Sequence, residues 1–203
     1  MKTPLEKLRI ALSRLVVILA LSGYLCTSSY WEETKGKELE LFLFFIGMVM
    51  VAIASMGRMW CSLYIAGYKD RTLITKGPYS LCRNPLYFFS FIGFTGIGFA
   101  TETLLFPLLC VLVFAASYGF IIKREETRLR QLFGSTYDEY KAQTPAFWPR
   151  FSNFSEPENY VVRPIVYRQH IFDALWFVWI VGILEVIEGL KDIGYIKPLW
   201  CIY

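Results

Sequence analysis

"LYFFSFIGFTGIGFATETLLFPLLCVLVFAASYGFII", residues 86–122, decides the fold. Glu102 is the only charged residue in it. Thr103 to Ile122 is uncharged and covers roughly 30 Å as a helix, enough for the hydrocarbon core of a bilayer. Leu86 to Ala100 is shorter and equally uncharged. The two runs meet at a Thr-Glu-Thr turn, so they read as a helical hairpin with both open ends on one membrane face. Leu41 to Gly57, "LFLFFIGMVMVAIASMG", is a further span. Ile10 to Thr27 is another, with Arg14 near its start. Ala174 to Leu184 is bracketed by Asp173 and Glu185, and either spans or lies in the interface.

Composition agrees. The chain has 203 residues, 55% of them hydrophobic. A soluble domain of that size cannot hide so much hydrocarbon. The expected fold is all-α: a polytopic membrane bundle of about five transmembrane helices, forming a single membrane domain over 1–203. Lys2, Lys7 and Arg9 give the N-terminus the flank of a signal peptide. No small-residue cleavage site ends its apolar run, and further spans follow, so an uncleaved first helix is expected.

Basic and non-basic connections alternate along the chain. Lys69, Arg71, Lys76 and Arg83 precede the hairpin, the Thr-Glu-Thr turn carries no base, and Lys123, Arg124, Arg128 and Arg130 follow it. Basic loops stay in the cytoplasm. A cytoplasmic N-terminus and a cytoplasmic hairpin mouth follow. The net charge of +4 is scattered, which suits anionic lipid headgroups and argues against a nucleic-acid partner. Cys26, Cys61, Cys82, Cys110 and Cys201 form no C-x-x-C pair. They read as apolar filler, and no metal site is expected. His170, the only histidine, reads as an interfacial polar residue.

Polar chemistry gathers in two clusters at the expected cytoplasmic mouth. In "KGPYSLCRNPLYFF", residues 76–89, Gly77-Pro78 forces a turn, and Pro85 suits the first turn of the next helix. Asn84 is then the N-cap, with its side chain on a free backbone amide. A helix N-terminus is an anion site. Flanked by Tyr79 and Tyr87, it suits an aromatic or nucleoside-like ligand bearing a carboxylate. The second cluster is "KREETRLRQLFGSTYDEYKAQTPAFWPRF", residues 123–151. A helix running from Thr103 to Phe133 is ~45 Å long and projects beyond the bilayer. Glu125 shares a face with Ile121, Ile122 and Leu129, so it is the expected inward carboxylate, with Glu126 paired to Arg130 at i+4. Thr136 and Glu139 have capping-box spacing. Phe147, Trp148 and Phe151 are placed to fold back over a site or anchor in the interface.

These residues resemble the isoprenylcysteine carboxyl methyltransferase and phospholipid methyltransferase group of integral membrane enzymes. The family pattern is a hydrophobic pair before G-x-Y, then R-H-P-x-Y, a hairpin, and E-E-x-x-L-x-x-x-F-G-x-x-Y-x-x-Y. It is matched over about 58–151, the expected motif core, which leaves 152–203 as a C-terminal extension. The resemblance implies S-adenosylmethionine as methyl donor, bound on the cytoplasmic side, and a lipophilic or prenylated acceptor. By likeness, Leu73, Ile74, Tyr79, Asn84, Pro85, Leu86 and Tyr87 line the cofactor pocket, and Glu125 holds the donor's ammonium group. Arg124 is a candidate substrate contact. Asn84 stands where the family has histidine. It cannot act as a base near neutral pH, which favours an acceptor already ionised, such as a carboxylate. The alternatives are phospholipid N-methylation, a non-catalytic membrane scaffold, and a nicotinamide-dependent membrane reductase.

Overall fold

The computed structural model describes residues 27–29, 36–68, 71–196 and 200–202. The expected first span falls outside them except for Thr27, as do Lys2, Lys7, Arg9, Arg14, Cys26 and Lys69. The described helices are α1 (Lys37–Ile65), α2 (Pro78–Leu81), α3 (Pro85–Phe99), α4 (Leu105–Phe133), α5 (Ser135–Gln143) and α6 (Pro164–Asp192), with a 3-10 turn at Phe151–Asn153. A short parallel pairing joins β1 (Thr27–Ser29) to β2 (Trp200–Ile202). The fold is a helical membrane bundle.

Three helices, α1, α4 and α6, are long and apolar enough to cross a membrane, and α3 is a shorter apolar helix. Ala174 to Leu184 is the middle of α6, a helix of 29 residues. By length and composition the helix that holds this segment is sufficient to span. Pro164 opens α6, where its missing N–H costs nothing. Gly134, at φ +54, closes α4 and opens α5. Thr136 therefore lies inside α5 rather than at its cap. The expected capping box is absent, and no side chain caps that helix.

Packing runs through small residues. A Cβ on Gly47 would stand 2.6 Å from the Ala100 nitrogen and 2.7 Å from the Gly96 carbonyl. A Cβ on Gly96 would stand 2.8 Å from the Met50 Cβ. So α1 and α3 approach almost backbone to backbone, and α3 packs more extensively on α1 than on its hairpin partner α4. Close approach of this kind replaces the hydrophobic drive that lipid cannot supply. On the other side of α1, α6 inserts Phe177 into a core with Val51, Ala100 and Val181. Helix α4 is different: Pro107 and Ile122 are its only buried residues. Its outward side chains, Leu108, Leu112, Val113 and Phe120 among them, are exposed and apolar.

The two ends of the bundle differ in charge. At the hairpin turn, Glu102 sits at φ +60. Burial, then repulsion from Glu40, Glu188, Glu185 and Asp192, pushes its carboxyl up to about 7. The folded state therefore binds this proton more tightly than the unfolded chain. The contribution to stability is present below the ordinary carboxylate range and is lost as pH rises through about 7. Glu102→Gln should flatten the dependence of Tm on pH between about 5 and about 8 and raise Tm at the alkaline end. A second test concerns packing. Gly47→Leu should destabilise the bundle by about 1–3 kcal/mol or more through overpacking, read as a lowered Tm in detergent.

Candidate functional site

The expected mouth is a single layer. The chain after α5, residues 144–161, crosses it as a strap held largely by backbone. The Arg83 amide donates to the Pro145 carbonyl at 2.8 Å, Arg150 to Leu81 at 2.9 Å, and Gly77 to Ser155 at 2.9 Å. The Tyr64 hydroxyl donates to Glu156 at 2.6 Å, and the Tyr160 hydroxyl donates to the Tyr64 carbonyl at 2.6 Å. Gly77 is required beneath this strap. It takes φ +60, and a Cβ there would stand 2.3 Å from the Tyr64 ring. Both sequence clusters and the end of α1 are thus joined.

Arg83 is the centre of the layer. Its Nε and Nη2 donate to Glu126 Oε1 at 3.1 and 2.5 Å, and its Nη1 donates to the Lys141 and Thr144 carbonyls at 3.1 and 2.5 Å. Lys141 donates to the other oxygen of Glu126 at 2.7 Å. Glu126 is 15% exposed and Arg83 is 9% exposed. The inward carboxylate is therefore Glu126, not Glu125. The reason lies in the helix face: Ile122 is the buried residue here, and Glu126 follows it by four. Ile121 belongs to the partly exposed flank. Glu125 lies at the edge, 33% exposed, with Arg128 at 2.8 Å. Arg130 pairs with Asp138 instead of Glu126.

Asn84 caps α3 by position. Its carbonyl accepts from the Tyr87 and Phe88 amides, both at 3.1 Å. Its side chain does not cap. It reaches across the layer, and Nδ2 donates to the Ala146 carbonyl at 3.0 Å. The strap carbonyl competes for the amide, so the first turn of α3 keeps an uncapped positive end. Pro85 is buried beside it, and Leu86 and Tyr87 are half-buried. Leu73 and Ile74 are half-buried in the extended stretch before Gly77. The Tyr79 carbonyl accepts from Tyr140 at 2.6 Å. Arg124 is exposed.

Phe147 closes the seam between α3 and α4. Its ring lies 4.4 Å from Tyr118, 5.5 Å from Phe88 and 5.9 Å from Phe91. Trp148 stacks edge-on beside it. The Tyr118 hydroxyl is buried without a hydrogen-bond partner, and the buried Tyr137 hydroxyl faces Arg83. Two open clefts flank the layer. One of about 350 Å³ touches Lys76, Ser80, Tyr140 and Asn153. The other, of about 270 Å³, touches Lys123, Glu126, Arg130, Tyr137 and Lys141. Burial pushes the Cys82 thiol and the Tyr137 hydroxyl up to about 12, and raises the Tyr79 and Tyr140 hydroxyls too. None of the four can serve as a base near neutral pH.

Known proteins match this chain along the same residues. The family described as phospholipid methyltransferase matches 39–136. The cobalt-zinc-cadmium resistance protein CzcN of Cupriavidus metallidurans is 36% identical over 195 residues, 96% of this chain and 88% of that protein. This chain belongs to the isoprenylcysteine carboxyl methyltransferase and phospholipid methyltransferase family. The nickel-cobalt-cadmium resistance protein NccN of Alcaligenes xylosoxydans xylosoxydans is 35% identical, over 91% of this chain and 84% of its own length. A protein-S-isoprenylcysteine O-methyltransferase of Xenopus laevis is 32% identical over 119 residues, 51% of this chain and 40% of that protein. No solved structure matches significantly. With its apolar helices, this member of the family is an integral membrane protein.

Arg83 and Glu126 were missed as partners by the sequence reading. The i to i+4 step from Ile122 was the available signal. Arg83→Gln should destabilise the fold by about 2 kcal/mol or more, below the roughly 3–5 kcal/mol of a wholly uncompensated buried charge because Lys141 still faces Glu126. The double variant Arg83→Gln/Glu126→Gln should recover part of that loss of Tm in thermal melts.

Proposed function

We propose that this chain is an S-adenosylmethionine-dependent membrane methyltransferase acting on the carboxylate of a lipophilic acceptor. The observation that carries the reading is the layer itself. "KGPYSLCRNPLY" and the Glu-Glu turn of α4 face one another across the Arg83–Glu126 pair, under one strap. The residues fit the donor chemically. The uncapped start of α3 suits the methionine carboxylate, the aromatic residues suit adenine and the sulfonium, and the unpartnered Tyr118 hydroxyl is a waiting donor. When bound, S-adenosylmethionine supplies a methyl carbon whose bond to sulfur breaks as the bond to the acceptor forms, the sulfur keeping the electron pair.

Two carboxylates divide the work. Glu126 is held by two cations inside the seam and positions the layer. Glu125 is held by one half-exposed arginine, a contact worth at most about 1 kcal/mol in water. It is the one that can be exchanged for the donor's ammonium group. Leu73, Ile74, Tyr79, Asn84, Pro85, Leu86 and Tyr87 complete the pocket, and Arg124 draws in the acceptor's negative charge from outside. Phe147 and Trp148 exclude water from the seam. Asn84, Cys82 and the buried tyrosines offer no base, and Glu125 and Glu126 are tied to cations, which favours an acceptor already ionised. N-methylation of a phospholipid amine is the second reading within the family. The basic end of the bundle faces the cytoplasm in this scheme, with 58–151 as the motif core and 152–203 as an extension that closes the bundle through α6.

Two of the named relatives carry metal resistance in their names; the methyl-transfer reading rests on the phospholipid methyltransferase match and on the layer. Calorimetry of S-adenosylmethionine with the purified protein in detergent tests it. The parent should bind, and Glu125→Ala should weaken binding by about tenfold, about 1.4 kcal/mol, with Tm unchanged. Absence of binding by a folded parent overturns the proposal. Tritium transfer from the methyl-labelled donor into a fatty acid, measured beside a phospholipid amine, separates the two acceptors.

A further inference from the structure

Two arginines are drawn into the bundle, and their surroundings treat them differently. Arg83 meets a carboxylate. Arg58, near the mouth end of α1, meets only neutral oxygens. Its Nη1 donates to Ser90 Oγ on α3 at 2.5 Å, and its Nη2 donates to the Asp173 carbonyl on α6 at 3.1 Å. The guanidinium lies 5.5 Å from the Phe177 ring centroid. Its Nε is buried and has no partner. Among the described residues, no carboxylate stands within ion-pair distance of it. The Asp173 carboxylate is 71% exposed and turns to His170 at 3.6 Å.

One turn further into the bundle on the same helix is Ser55, only 4% exposed, whose hydroxyl is also unpartnered. Residues three apart share a helix face. Two buried donors thus stand unpartnered on one face, on or beside a cation that the Asp173 carboxylate reaches only through space, without direct contact. An ionised side chain at membrane depth is costly and marks a functional position when its partner is missing. Its bond to Ser90 ties Arg58 to the helix that Asn84 opens at the candidate site.

We infer that Arg58, with Ser55 beneath it, is the seat for the carboxylate of a lipophilic acceptor. A guanidinium edge presents donors in a plane and suits a two-oxygen anion. The outer flanks of the seam are apolar and exposed, with Met56 on α1 and Phe172 on α6, as an acyl or prenyl chain requires. This rests on the methyl-transfer reading for the identity of the ligand as acceptor. The site itself is tested by binding alone, without methyl donor, so failure here leaves that reading standing.

The probe is dibrominated stearate, which quenches tryptophan; Trp60 neighbours Arg58 on α1, and Trp176 packs against Phe177. The parent in detergent should bind the acid about tenfold more tightly than its methyl ester. Arg58→Met should abolish that preference with a Tm near the parent's, and Arg58→Lys should retain part of it. Equal binding of acid and ester by the parent overturns the inference, as does a folded Arg58→Met that keeps the preference. If Arg58→Met does not fold, the acid-to-ester ratio in the parent decides. Displacement of the probe by acetate or inorganic phosphate as effectively as by stearate overturns the lipophilic source.

Discussion

The contact between Arg83 and Glu126 is the constraint on which the mouth of this bundle depends. One guanidinium binds a carboxylate on α4 and two carbonyls at the end of α5, while its own amide binds the strap. Arg83 and Glu126 lie 43 residues apart in sequence, and their pairing adds a fixed polar contact to the aromatic packing around Phe147. Without that charge, α4 would keep only its limited packing on α3. With it, the turn before α3, the exit of α4 and the strap share one geometry. A planar donor with five N–H groups can hold so many acceptors at once, and a lysine could not.

Much of this was legible beforehand. The apolar run over 86–122 gives the hairpin directly, because hydrocarbon length and the absence of charge leave few other options. Pro85 and Gly134 mark helix boundaries for reasons of backbone geometry alone. The face assignments were harder. Glu125 and Glu126 are neighbours, and an apolar stripe two residues wide does not say which of Ile121 and Ile122 is inside. The Asn84 side chain was misread for a similar reason. A local cap is visible in sequence, whereas the Ala146 carbonyl that takes the amide lies 62 residues away. Arg58 stands out in the sequence as the first charge after an apolar run, but its neighbours come from α3 and α6 and were not legible there.

The groups around Asn84 limit the chemistry that the site can host. Asn84 does not titrate near neutral pH, and burial keeps the nearby thiol and phenols protonated. What remains is alignment, exclusion of water and fixed charge, which is sufficient for displacement by a nucleophile that brings its own negative charge. Arg83 holds the layer through direct ion pairing, whereas Arg58 bonds only neutral oxygens, which is what the proposed anion seat requires.

The bareness of α4 has its own consequence. One flank of its apolar part, with Leu108, Leu112, Val113 and Phe120, is left exposed. Its tilt is then set by packing on α3, by Phe147 and by the grip of Arg83 at its end. Glu126 rides at its end. A thicker or stiffer bilayer that rotates α4 moves the carboxylate that Arg83 grips, and with it the start of α3. Bilayer thickness and the Arg83–Glu126 contact thus bear on the same helix from opposite ends.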